Sequence, residues 1–145
     1  MSQELKEKCG IVGIYGKNLP ISRLAFFALF ALQHRGQEAS GITTSDGKKM
    51  HTHKGAGLVA QVYKEKDIEN LKGYIGIGHN RYSTSGGGAL DHAQPVINKD
   101  NSFALAHNGN LPSVKSLEHF LASKKVLQKN RTDSELITDA INFYI

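Results

Sequence analysis

Cys9 is the one cysteine in a chain of 145 residues, and it heads the first apolar run, Gly10-Ile11-Val12-Gly13-Ile14-Tyr15. A lone cysteine cannot close an intrachain disulfide. Its chemistry is that of a free thiol, a candidate nucleophile when ionised and a small buried hydrophobe when not. Two other groupings carry chemistry of a different kind. His51 and His53 alternate in a strand-like stretch and so share a face, a spacing that can hold a metal but lacks a third ligand nearby; exposed strand histidines are the plainer reading. Gly86-Gly87-Gly88 could cradle phosphate, but no helix start follows it. A mobile lid suits the long stretch 82–94 better.

These residues have to be positioned by a folded scaffold, and the composition allows one. Hydrophobic residues make up 39% and charged residues 21% of the chain. That balance excludes a disordered chain and supports one domain with a real core. No apolar run is long enough to span a bilayer, and residues 1–8 lack the apolar centre of a signal peptide. One cysteine without an export signal fits a reducing cytoplasm. The net charge of +5 raises the question of a nucleic-acid partner. Lys and Arg are scattered among acids, however, without a block of like charge, which is the pattern of a solvated surface.

The elements follow from pattern and punctuation. Residues 10–15 are apolar and β-branched and are bounded by Gly16, Asn18 and Pro20, which predicts a buried strand and a turn. Residues 21–33 are apolar on nearly every side, which predicts a buried helix, with Gly36 beyond its end and His34-Arg35 placed to satisfy its C-terminal dipole. Ser45-Asp46-Gly47 between two strand-like stretches predicts a hairpin. Residues 58–63 and 67–71 read as short helical pieces, and residues 74–81 as a strand whose glycines permit close backbone approach. A second hairpin is expected around Lys99-Asp100-Asn101. Val114, Leu117, Phe120 and Leu121 share one helical face. Thr132-Asp133-Ser134-Glu135 is a capping box that opens a last amphipathic helix. That helix runs to Ile145 without a stop signal, so the domain reads as cut there. Hairpin-linked strands favour antiparallel sheet, with the helices packed outside.

The chain resembles the glutaminase domain of the amidophosphoribosyltransferase family, the class II glutamine amidotransferases of purine synthesis within the N-terminal-nucleophile hydrolases. The resemblance runs through Cys9 to Ile14, Leu32-Gln33-His34-Arg35-Gly36-Gln37-Glu38-Ala39-Ser40-Gly41-Ile42 and Gly78-His79-Asn80-Arg81-Tyr82-Ser83-Thr84. It continues through Ala93-Gln94-Pro95, Leu105-Ala106-His107-Asn108-Gly109-Asn110-Leu111 and Thr132 to Glu135. The stretch from Leu32 to Ile42 separates this family from glucosamine-6-phosphate synthase.

What the resemblance implies is an α+β fold, a four-layer αββα sandwich of antiparallel sheets truncated at its C-terminus. Residues 1–8 would be a leader or propeptide, and residues 9–145 a partial class II glutamine amidotransferase domain. The implied reaction is hydrolysis of glutamine to glutamate and ammonia, the ammonia serving phosphoribosylamine synthesis. Cys9 would be the nucleophile, and the Asn108 side chain with the Gly109 backbone N–H the oxyanion hole. Arg81 would hold the glutamine α-carboxylate and Asp133 its α-ammonium. Surface ion pairing for Arg81, a turn role for Asn108 and a helix-start charge for Asp133 are the plainer alternatives. A catalytically silent glutamine-binding or regulatory module of the same fold is the rival function. No cofactor is implied for this chain; magnesium is expected only for the phosphoribosyltransferase domain, which the chain lacks. That domain is the expected partner, besides glutamine. No nucleic acid and no membrane are expected as partners, a homo-oligomer is compatible with the family, and the expected location is the cytoplasm.

Overall fold

A computed structural model describes residues 9–82, 88, 90–109, 111–126 and 131–145. The expected leader, residues 1–8, lies outside the described residues, as do residues 83–87 and 89 of the expected lid, Gly86 and Gly87 among them. Asn110 lies outside them as well.

The first strand, β1 (Gly10–Tyr15), leads into helix α1 (Ile21–Ala31) and a 3-10 turn over Gln33–Arg35. Strands β2 (Ala39–Ser45) and β3 (Met50–Ala56) form the first hairpin. Its turn is closed by Asp46, whose carboxylate accepts from the backbone of Lys48 and Lys49 at 2.8 and 2.7 Å. Gly47 takes φ +85° there, a conformation open to glycine, as the Asp-Gly pair predicts. Two short helices, α2 (Val59–Val62) and α3 (Glu65–Asn70), precede β4 (Ile75–Arg81). After the expected lid come β5 (Val96–Ile97), β6 (Ala104–Leu105), α4 (Lys115–Ser123) and α5 (Asp133–Tyr144).

All strand pairings are antiparallel. One sheet has the order β1-β4-β2-β3, and β5 pairs with β6 in a second. Strand β4 is central because it presents two different faces. Gly76, Gly78 and Asn80 point toward α1: a Cβ at Gly78 would come within 2.9 Å of Leu29 Cδ1, and the Asn80 carboxamide donates to the Leu29 carbonyl at 2.7 Å. Glycine on this face lets α1 seat against the sheet. By strand alternation Ile77, His79 and Arg81 point the other way, toward the second sheet. Gly41, paired with His79 across β2, also faces that layer: a Cβ there would lie 2.0 Å from the Gln94 carbonyl oxygen. An apolar cavity of about 330 Å³ opens between the sheets, lined by Ile11, Ile77, Leu105 and Ala106 among others. Helix α5 packs on β5 and β6 from outside. The layers therefore run helix, sheet, sheet, helix.

The main core lies between α1, α2, α3 and the first sheet, where Ala25, Leu29, Ile42, Val59, Val62, Tyr63, Ile68 and Leu71 cluster. The expectation of an all-round buried α1 is corrected: Ile21, Ala25 and Leu29 are buried, whereas Leu24, Phe27 and Phe30 are exposed. The helix packs along one stripe at helical spacing, and its apolar residues on the far side meet solvent. His53 is half-buried and sits 2.9 Å from the Val62 carbonyl, so it serves packing between β3 and α2. Among the described residues no group of three metal-ligating side chains is assembled. Nor is any helix among them long and apolar enough to cross a membrane.

Candidate active site

Cys9 stands just outside β1, with φ +27°, in the left-handed region that a non-glycine residue adopts at a cost. The antiparallel register pairs Gly10 with Asn80, which brings Cys9 beside the C-terminal end of β4. Its thiol is half-buried. The Tyr82 backbone N–H donates to Sγ at 3.4 Å, and Sγ lies 3.7 Å from the Tyr82 carbonyl oxygen. The Cys9 carbonyl is held from two directions: Arg35 Nε and Asn108 Nδ2 each donate to it at 3.1 Å.

Each partner is brought there by a distinct element. Arg35 reaches back because α1 ends at Ala31 and the chain tightens into the 3-10 turn Gln33–Arg35. A Cβ at Gly36 would lie 2.7 Å from the Asn80 carbonyl oxygen, so only glycine lets this turn press against β4. Asn108 follows β6, and its backbone is steadied by the preceding residue: the His107 N–H donates to the buried Gln94 side-chain oxygen at 2.7 Å.

Arg81 ends β4 with its side chain largely buried. Its Nε donates to Glu38 Oε2 at 3.1 Å, and its backbone carbonyl accepts from the Glu38 N–H at 3.1 Å. Glu38 thus grips Arg81 by both main chain and side chain, and a planar guanidinium held through Nε has a fixed orientation.

Asp133 is the first residue of α5. The box around it is closed by the Glu135 N–H donating to Thr132 Oγ1 at 3.2 Å and the Thr132 N–H donating to Glu135 Oε2 at 2.8 Å. Asp133 Oδ1 accepts from the Ser134 N–H at 2.7 Å, and Oδ2 from the Leu111 N–H at 3.4 Å. A carboxylate at a helix N-terminus is favoured by the helix dipole. The bond to Leu111 also ties it to the segment that carries Asn108 and Gly109.

No family model matches the chain. It is similar to amidophosphoribosyltransferases over almost its whole length. The relative from Methanocaldococcus jannaschii is 47% identical over 136 residues, which cover 92% of this chain and 29% of that protein. The relative from Bacillus subtilis is 38% identical over 140 residues, covering 94% of this chain and 29% of that protein. The chain thus spans about 29% of the length of these curated relatives. A solved structure described as the allosteric regulatory enzyme of purine biosynthesis superposes with a TM-score of 0.79 at 36% identity, over 91% of this chain and 29% of that one. The glutamine phosphoribosylpyrophosphate amidotransferase from B. subtilis superposes with a TM-score of 0.75 at 34% identity, with the same coverage. The chain is homologous to the N-terminal part of amidophosphoribosyltransferases. Its fold is the α+β fold of their amidotransferase domain.

Against that background the geometry divides the five residues expected from sequence. Cys9 and Asn108 meet directly, with Gly109 next in the chain. The β1–β4 register carries Arg81 to the level of Cys9. Asp133 is joined to the Asn108 segment through Leu111.

Four residues that touch this site were not singled out from sequence: Arg35, Glu38, Tyr82 and His107. Arg35 was expected to serve a helix terminus, and its donation to the Cys9 carbonyl corrects that expectation. All four stand inside the stretches that carry the family resemblance, Leu32 to Ile42, Gly78 to Thr84 and Leu105 to Leu111, and that is the signal that points to them.

Proposed function

We propose that this chain is the glutaminase unit of an amidophosphoribosyltransferase, hydrolysing glutamine with Cys9 as the nucleophile once Cys9 is the chain terminus. The α-amine of a terminal cysteine has an ordinary pKa of about 7.7–8.0, suited to taking the thiol proton near neutrality. Sγ then attacks the side-chain carboxamide carbon of glutamine. The C–N bond breaks, the proton held by the amine leaves with ammonia, and a thioester remains. Water attacks the thioester, giving glutamate and restoring the thiol. In this reading the Asn108 carboxamide and the Gly109 N–H take the negative charge that develops on the carbonyl oxygen, Arg81 takes the α-carboxylate and Asp133 the α-ammonium. The released ammonia serves phosphoribosylamine synthesis by a phosphoribosyltransferase domain of the same protein.

The observation that carries the reading is the 3.1 Å bond from Asn108 Nδ2 to the Cys9 carbonyl. The bond sets a carboxamide donor beside the residue that carries the only thiol, which is where an oxyanion donor for attack by that thiol belongs. The test is glutamine hydrolysis by the full-length protein beginning at Cys9, compared with its Cys9→Ala variant. Hydrolysis lost in the variant is expected. Hydrolysis that survives the substitution would overturn the proposal, and tight glutamine binding without hydrolysis in the unsubstituted protein would identify a catalytically silent module.

A further inference from the structure

His107 lies between the two groups assigned to opposite ends of the substrate. Its ring nitrogen Nε2 is 2.8 Å from Ser134 Oγ and 3.8 Å from Asp133 Oδ1. The carboxylate so close by favours the proton on Nε2, so the imidazole donates to the Ser134 hydroxyl. The serine hydrogen is then directed at Asp133 Oδ1, 3.4 Å away, and the Ser134 backbone N–H reaches the same oxygen at 2.7 Å. The other side of the ring faces Gly109, where a Cβ would come within 3.3 Å of Nδ1. The ring has little freedom to turn, because its own backbone N–H is fixed to Gln94 and Ser134 is buried.

We infer that His107 is a positioning residue that holds the Asp133 carboxylate, through the Ser134 hydroxyl, in the orientation that receives the substrate's α-ammonium group. The inference rests on the reading above, in which Asp133 is the ammonium ligand. A carboxylate at the first turn of a helix can rotate about its own χ angles. The imidazole and the hydroxyl behind it remove that freedom, so the cost of ordering the carboxylate is met before glutamine binds. The same histidine precedes Asn108 in sequence, so one residue ties the ammonium end of the pocket to the end where charge develops.

The test is steady-state glutamine hydrolysis by the full-length protein beginning at Cys9, with His107→Phe, His107→Gln, Ser134→Ala and Asp133→Asn variants. His107→Phe removes the donor and keeps a ring. It is expected to raise KM for glutamine roughly tenfold, as loss of a hydrogen bond supporting a charged contact does. The kcat is expected to change far less. His107→Gln, whose Nε2 can replace the donor, should restore KM. Ser134→Ala breaks the same link from the other side and should reproduce the rise, which covers the case in which the phenylalanine variant does not fold. In an Asp133→Asn background the His107→Phe change should add nothing further. Hydrolysis of 4-carbamoylbutanoate, which is glutamine without its α-amino group, should be unaffected by His107→Phe. A KM that rises with Asp133→Asn but not with His107→Phe or Ser134→Ala would overturn the role of His107, as would full additivity of the two changes. A KM unchanged by Asp133→Asn itself would instead refute the assignment of Asp133 on which the inference rests.

Discussion

The carboxamide of Asn108 donates to the main-chain carbonyl of Cys9 across 3.1 Å, although 99 residues separate the two. The contact joins the end of the two-stranded sheet to the start of the four-stranded one, so the relative placing of the layers sets the distance between nucleophile and donor. If Asn108 acts where charge develops, its truncation weakens the transition state more than the ground state. Asn108→Ala is expected to lower kcat for glutamine hydrolysis by roughly 10²–10³ with little change in KM. Initial-rate kinetics on the full-length protein decide it. A variant that keeps kcat and loses affinity would assign Asn108 to binding.

Arg81 is expected to act on binding. Its guanidinium is oriented by the Glu38 carboxylate at 3.1 Å, and a planar fork matches a carboxylate in a way that an ammonium does not. Arg81→Lys is expected to raise KM for glutamine roughly ten- to a hundredfold, with a much smaller effect on kcat. Glu38→Gln keeps the side-chain shape and weakens the grip on Nε, so a smaller rise in KM should follow. An unchanged KM in the lysine variant would remove Arg81 from substrate binding.

How far the site could be read in advance differs residue by residue. The Asp46-Gly47 turn and the Thr132–Glu135 box are local, and each is closed by atoms within three residues, so sequence spacing is enough to find them. The burial of α1 is narrower than its composition suggests, because an apolar residue on a helix reports a preference and not a neighbour; Phe27 stays 63% exposed, with its neighbour Phe26 in edge-to-face contact with its ring. Arg35 was assigned to a helix end for a related reason. Its partner, the Cys9 carbonyl, is 26 residues away. That contact depends on α1 stopping at Ala31 and turning tightly against β4, which residue types alone do not reveal. The resemblance names the five candidate residues, but the links among them, through Glu38, Gln94, His107 and Ser134, depend on tertiary contacts.

His79 supplies a test of stability. It is 2% exposed on the inter-sheet face of β4, and neither ring nitrogen has a hydrogen-bond partner among the described residues. Burial pushes its pKa down to about 4, helped by the neighbouring His107; the His107 main chain offsets a little of this without meeting hydrogen-bond geometry. Between the ordinary value of about 6.5 and about 4, the unfolded chain binds a proton that the folded one refuses. The contribution is therefore fully present above pH 6.5 and is lost as pH falls toward 4, by about 3 kcal/mol in all. His79→Leu, of similar size and without the titrating group, is expected to flatten the fall in stability across this window. Thermal unfolding of the two proteins between pH 4 and 7 measures it. Parallel curves for both would show that His79 does not carry the proton linkage.

The last prediction concerns activation. In this chain Cys9 follows Lys8, so its nitrogen is an amide. The lone pair of an amide nitrogen is in resonance with the carbonyl and cannot accept a proton from the thiol. If the α-amine is the base, cleavage between Lys8 and Cys9 creates it, and residues 1–8 act as a propeptide. General-base catalysis contributes typically about 10²–10⁴-fold, so the unprocessed protein should hydrolyse glutamine slower by at least that factor. The comparison is between the full-length protein with residues 1–8 retained and the same protein beginning at Cys9, each N-terminus verified by intact mass. Alkylation of Cys9 by iodoacetamide in both forms distinguishes a thiol that lacks its base from one that is merely shielded: shielding would block alkylation of the unprocessed form entirely, whereas a missing base only slows it. Equal glutamine hydrolysis by a verified uncleaved protein would refute the terminal-amine mechanism and return the search for the base to the side chains around Sγ.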